Sequence, residues 1–132
     1  GLLDLYCDYH EIETFAYGQA TLRTSLRAAG AEPDESWCLH LDKSIPDFVL
    51  EIALTSGGIP KLEVYRRFKI PEVWIWRKGR LEVFRLSSSG HYEQSAGSQL
   101  LPGLDLGLIE KCLALPTQSA ARKMFRAALS AP

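Results

Sequence analysis

The sequence predicts an α/β domain. Three observations predict it: a strand-helix-strand pattern over residues 46–76, short alternating strands before and after it, and two helix-like segments that close the chain. Strand, helix, strand in that order is a crossover unit, and its two strands run parallel. With 132 residues and 46% hydrophobic content, the chain has enough apolar side chains for one real core.

The elements follow in order. Leu2, Leu3, Tyr6 and Tyr9 stand at near-helical spacing and read as the last turns of a helix. Residues 10–17 and 20–26 read as two strands, or a hairpin, around Gly18. Residues 28–30 form a turn. In residues 31–41, AEPDESWCLHL, Pro33 stiffens the entry. Trp37, Leu39 and Leu41 alternate there with Cys38 and His40, which predicts a half-buried strand.

The central run begins at Pro46 with PDFVLEIALTSGG. Residues 48–54 are apolar except for one acid, Glu51, and read as a buried strand. Residues 55–58 break it. Pro60 suits the first position of a helix, and residues 61–68 continue with Leu62, Tyr65 and Phe68 on one side. Pro71 ends that helix. Residues 72–76 form the next strand, in which Val73 and Ile75 alternate with Trp74 and Trp76. The two tryptophans read as packing residues rather than base-stacking platforms. Lys78-Gly79 then turns the chain into a hairpin strand over residues 81–86, and residues 87–90 turn it into another over 91–94. Residues 104–115 predict a helix. Thr117 or Ser119 caps a last one, with Ala121, Met124, Phe125 and Ala128 on one face. Nothing repeats and no linker divides the chain, so residues 1–132 read as a single domain.

Composition excludes several classes. A charged fraction of 23% is too ordinary for a disordered chain. No apolar stretch is long enough to span a membrane, and no signal peptide is visible. Cys7, Cys38 and Cys112 are odd in number, far apart and without a CxxC. That argues against a disulfide framework or a zinc site and suits a reducing cytoplasm. Net charge is −1, but residues 1–60 carry −7 and residues 61–85 carry +5. Such a division suits a metal-binding cleft beside a phosphate-binding surface. Charge alone favours the plainer reading, in which Arg66, Arg67, Lys69, Arg77, Lys78, Arg80 and Arg85 are a solvated face.

The chemistry rests on Asp34, Glu51 and Lys61. Two adjacent strands that carry one carboxylate each can aim both at one cleft. A carboxylate pair with waters and a substrate phosphate is how Mg²⁺ is commonly held. Such a metal polarises a phosphodiester and lowers the pKa of an attacking water. Glu51 sits in an apolar strand, where an unpartnered carboxylate is costly. Lys61 stands in the first helical turn, against the helix dipole, and a cation there can steady charge on a phosphorane. The structural alternatives are a turn residue for Asp34, a salt-bridged core acid for Glu51 and a solvated side chain for Lys61. Asp47, at the strand entrance, reads as a turn or capping residue.

With these residues in view, the chain resembles the Uma-two family of restriction-endonuclease-like proteins, within the PD-(D/E)XK nuclease superfamily. The matching segments are AEPDESW (31–37), IPDFVLEIALTSGGIPKLEVYRRFKIPEVWIW (45–76) and QLLPGLDL (99–106). TLR (21–23) is similar to the strand that precedes the first acidic motif. The resemblance spans residues 18–108. It implies a restriction-endonuclease-like α/β core, a mixed β-sheet flanked by helices. It implies Asp34 and Glu51 as the acids of the two motifs. The superfamily's lysine usually stands two residues after the second acid, and here that place is Ala53, on the same face as Glu51. Lys61 is the implied substitute, in the family's KLE-Y pattern. The superfamily often adds a glutamate from an opening helix, and that N-terminal helix is expected to be largely missing here.

The sequence therefore reads as an endonuclease that hydrolyses DNA phosphodiester bonds with Mg²⁺ or Mn²⁺. Asp34 and Glu51 are the expected metal ligands and Lys61 the electrostatic helper. Arg66, Arg67 and Lys69 are the expected phosphate contacts. No membrane partner is expected, and a homodimer is left open. The alternative is a non-catalytic nucleic-acid-binding or protein-interaction module on the same fold, since fold does not fix function.

Overall fold

The computed structural model describes residues 1–16, 20–53 and 58–131. Six strands form one sheet in chain order: β1 (Thr14–Ala16), β2 (Glu35–Leu39), β3 (Phe48–Ile52), β4 (Glu72–Arg77), β5 (Arg80–Leu86) and β6 (Tyr92–Ser95). β3 and β4 run parallel and the other neighbouring pairs antiparallel, so the sheet is mixed. The helices are α1 (Leu2–Tyr9), α2 (Ala20–Ala28), α3 (Gly58–Arg67), α4 (Leu106–Leu113) and α5 (Gln118–Leu129). This is an α/β fold with helices flanking a mixed sheet, consistent with a restriction-endonuclease-like core.

Period-two alternation divides the strands between two cores. On one face Trp37, Phe48, Trp74 and Val83 pack with Leu3 and Tyr6 of α1, Ile109 of α4 and Phe125 of α5. On the other, Val49, Val73, Ile75 and Phe84 pack with Tyr65 of α3 and Leu26 of α2. β4, buried from Glu72 to Ile75, is covered on both faces, as expected of a strand in a parallel pair. Trp37, Phe48 and Trp74 stack across three neighbouring strands, with ring centroids 4.7 and 5.4 Å apart. Each such pair adds about 0.5–1.5 kcal/mol to the burial of the rings. Trp74 is thus core, as its alternation predicts.

Glu72 joins the first core to the chain beyond β6. It is buried and accepts hydrogen bonds from Trp74 Nε1 (2.9 Å), Ser98 Oγ (2.7 Å), Gln99 N (2.7 Å) and Leu100 N (3.1 Å). Asp47 works in the same way at the mouth of β3: its Oδ2 accepts from Leu39 N at 2.7 Å and Lys43 Nζ at 2.6 Å. Asp105 and Thr117 cap α4 and α5 through Leu108 N and Ala120 N.

Several expectations need correction. Residues 20–26 are not a strand, and TLR (21–23) is part of helix α2. Leu22 and Leu26, and likewise Arg23 and Arg27, stand four apart, and the adjacent polar pair Thr24-Ser25 breaks any alternation. β1 pairs instead with β2, Thr14 opposite Leu39. The expected turn at Gly18 lies outside the described residues. β2 is not half-buried: Trp37 and Leu39 enter the first core, and Cys38, which alternates with them, is also buried. It stops before Leu41, where His40 takes φ +71. Tyr9 and Met124, which share the helical spacing of their buried neighbours, are 55% and 38% exposed. α3 starts at Gly58, so Pro60 is its third residue rather than its first. That is still within the first turn, where a missing N–H costs no intrahelical bond.

Cys7, Cys38 and Cys112 are buried free thiols. Burial, with Asp4 and Asp8 nearby, pushes the Cys7 thiol up to about 11. Among the described residues no helix is long and apolar enough to cross a membrane.

Candidate functional site

The site grows from strand direction. β2 runs antiparallel to β3, so the residue that leads into β2 meets the end of β3. That residue is Asp34. Its N–H donates to Leu50 O at 2.9 Å, and its Oδ2 accepts from Ile52 N at 2.7 Å. Asp34 therefore grips the backbone on either side of Glu51. The β2–β3 register runs from Trp37 opposite Phe48 to Glu35 opposite Leu50, and Asp34 precedes the paired residues. Asp34 is exposed, whereas Glu51 is only 2% exposed.

Both oxygens of Glu51 have donors from α3. Tyr65 donates its hydroxyl to Oε1, and Lys61 Nζ donates to Oε2 at 3.2 Å. Lys61 and Tyr65 stand four apart, one turn of the same helix face. Their spacing and the β3-α3 connection bring both to the carboxyl end of β3, where ligands of parallel α/β units characteristically bind. Burial first, then the Glu51 bond and the charges of Glu51 and Asp34, raise the Tyr65 phenol far above its ordinary value. It stays a donor.

The geometry revises the reason for Lys61. It is the fourth residue of α3, at the edge of the dipole's reach, and its partner Glu51 explains its place. Ala53, two residues after Glu51, packs against the second core, and its N–H donates to Trp76 O at 2.9 Å.

Arg66, Arg67 and Lys69 stand apart from this group. Arg66 and Arg67 close α3, about 7–9 Å beyond Lys61 along its axis at 1.5 Å per residue, and Lys69 follows the helix. Arg66 pairs with Glu63 through Nε at 2.9 Å and Nη2 at 2.6 Å. Lys69 takes φ +58 in the turn that ends the helix. Elsewhere in the basic segment, Arg77 meets Glu82 at 2.5 Å and Arg80 meets Glu110 at 3.1 Å.

Sequence reasoning missed two features. Tyr65 was visible only as a core position, although the KLEVY spacing already sets it one turn from Lys61. Arg23 and Arg27 of α2 line a cleft of about 490 Å³ with Asp34, Glu32 and Glu35. Reading α2 as a strand hid their common face.

No group of three or more metal-ligating side chains occurs among the described residues. The donor set still fits a hard divalent cation. Mg²⁺ takes one or two carboxylates and keeps several waters, and Asp34, which binds the backbone beside Glu51, brings a second carboxylate to the same end of the sheet.

The Uma2 family model, described as "Putative restriction endonuclease", matches residues 1–117. The chain belongs to the Uma2 family. As a Uma2 chain it carries the α/β core expected of nuclease-like proteins, and restriction-endonuclease-like families generally use divalent metals. No curated protein and no solved structure matches it.

Proposed function

We propose that this chain is a divalent-metal-dependent endonuclease that hydrolyses DNA phosphodiester bonds. The carrying observation is Glu51: a carboxylate only 2% exposed, bracketed by Asp34 and ion-paired to Lys61 at the mouth of a parallel strand pair. Family membership supports the nuclease class.

In this reading Asp34 and Glu51 hold Mg²⁺ or Mn²⁺. When bound, the metal polarises the phosphodiester and lowers the pKa of the attacking water. Lys61 supplies positive charge next to Glu51, where charge develops on the phosphoryl oxygens. Its long stem and compact ammonium let it turn from Glu51 toward a phosphate. Arg66, Arg67 and Lys69 contact phosphates further along the backbone, and these contacts carry no sequence information. The buried thiols suit a reducing cytoplasm. A homodimer would bring a second site to the second strand.

The test is cleavage of linear DNA in Mg²⁺ and in Mn²⁺, with chelator and with Glu51→Gln as controls. Metal-dependent cleavage that Glu51→Gln lowers by about 10²-fold or more supports the reading. Salt-sensitive DNA binding with no metal dependence supports the non-catalytic alternative instead.

A further inference from the structure

Two donors of different mobility hold Glu51. Lys61 reaches Oε2 on a four-carbon stem and its side chain is 36% exposed. Tyr65 reaches Oε1 from a ring that is 0% exposed and packed in the core with Val49, Ile70 and Ile75. A packed ring with two side-chain torsions is a fixed point, and a half-exposed lysine is not. Each carboxylate oxygen offers two acceptor positions, so each Glu51 oxygen keeps one after these bonds.

We propose that Tyr65 is a positioning residue: its hydroxyl anchors Oε1 of Glu51 and so fixes the orientation of the carboxylate that, with Asp34, would hold the cation. The proposal rests on the reading of Glu51 as a metal ligand. Carboxylates that bind metals are themselves oriented by hydrogen bonds, and loss of such a partner typically lowers metal affinity or activity about 10–100-fold. Ring packing alone does not explain the tyrosine, because phenylalanine would fill the same space without a donor. A buried hydroxyl aimed at a buried carboxylate supplies direction.

The test uses Mn²⁺ alone as the probe and three forms of the chain: unaltered, Tyr65→Phe and Glu51→Gln. Calorimetry reads the affinity, and thermal melts without metal report folding. The expected result is about 10-fold or more weaker Mn²⁺ binding by folded Tyr65→Phe and lost binding by Glu51→Gln. Unaltered affinity in Tyr65→Phe with loss in Glu51→Gln overturns the positioning role and leaves the metal site intact. Unaltered affinity in Glu51→Gln overturns the ligand reading itself and the positioning role with it. A second measurement needs no variant. The Tyr65 hydroxyl proton, assigned by NMR in the unaltered chain, should shift as Mg²⁺ saturates the site. A merely structural tyrosine would hold its resonance unchanged through the titration, and that result overturns the proposal.

Discussion

Lys61 and Glu51 are ten residues apart in sequence, yet their charged groups meet at 3.2 Å, with Glu51 buried and Lys61 half-buried. This ion pair reverses what the helix dipole alone predicts for Lys61. Against the dipole, Lys61→Met would be neutral or slightly stabilising, by about 0.3–1 kcal/mol at most. With the ion pair, the substitution strips one donor from a buried carboxylate. A hydrogen bond to a charged group contributes about 1.5–3 kcal/mol, and partial exposure of the lysine reduces this to roughly 1 kcal/mol. Denaturant melts should therefore show a loss, and DNA cleavage should fall by about 10²-fold or more. A variant more stable than the original would restore the dipole argument. A variant that cleaves at the original rate would show that Lys61 has no part in catalysis, and Arg23 would be the next base to test.

Arg66, Arg67 and Lys69 supply a second prediction. Replacement of all three by glutamine should weaken DNA binding and flatten its salt dependence. Every phosphate left without its cation takes about 0.9 off the slope of log K against log salt. Glu51 takes its hydrogen bonds from Lys61 and Tyr65 rather than from these three residues, so cleavage at saturating DNA should hardly change. An unaltered slope assigns them to solvent and to Glu63, which already pairs with Arg66.

Glu72 should matter for folding. Trp74, Ser98, Gln99 and Leu100 all donate to its buried carboxylate. Glu72→Ala orphans these donors at once, and a single buried unsatisfied group costs about 1–3 kcal/mol. The expected loss is about 2–4 kcal/mol in a denaturant melt. Hydrogen exchange at Gln99 and Leu100 should rise far more than at Val49, on the other face of the sheet. A uniform rise would show that Glu72 anchors no local segment.

The thiols give a pH prediction. Cys7 is buried and its thiol stands at about 11, and only the thiolate is the nucleophile. In the native chain Cys7 should resist alkylation through about pH 8 and react once denaturant exposes it. Mass mapping of the alkylated sites checks this. Rapid native labelling of Cys7 would mean that α1 separates readily from the core.

Much of this architecture is legible in the chain. The apolar run of β3, the Leu62, Tyr65 and Phe68 spacing over α3 and its end, and the alternation of β4 are local patterns, and backbone geometry alone turns them into a parallel crossover. Glu51 stands out because a carboxylate in an apolar strand needs a partner. α2 is harder to read because two turns of helix and a short strand offer similar apolar counts, and the separation of Leu22 from Leu26 has to decide between them.

Which groups meet is a different matter. Sequence determined that Asp34, Glu51 and Lys61 are present in order. Only the antiparallel register of β2 on β3 brought Asp34 to the backbone on both sides of Glu51. Only the docking of α3 gave Glu51 its tyrosine, and Tyr65 looks in sequence like any other core aromatic. The Glu72 cluster depends on residues 26 to 28 positions downstream. The physical reason is one of range. Secondary structure follows from torsions and side-chain periods within a few residues, which the chain states directly. A buried carboxylate instead selects its donors by distance after the layers have packed, and that choice is made in three dimensions.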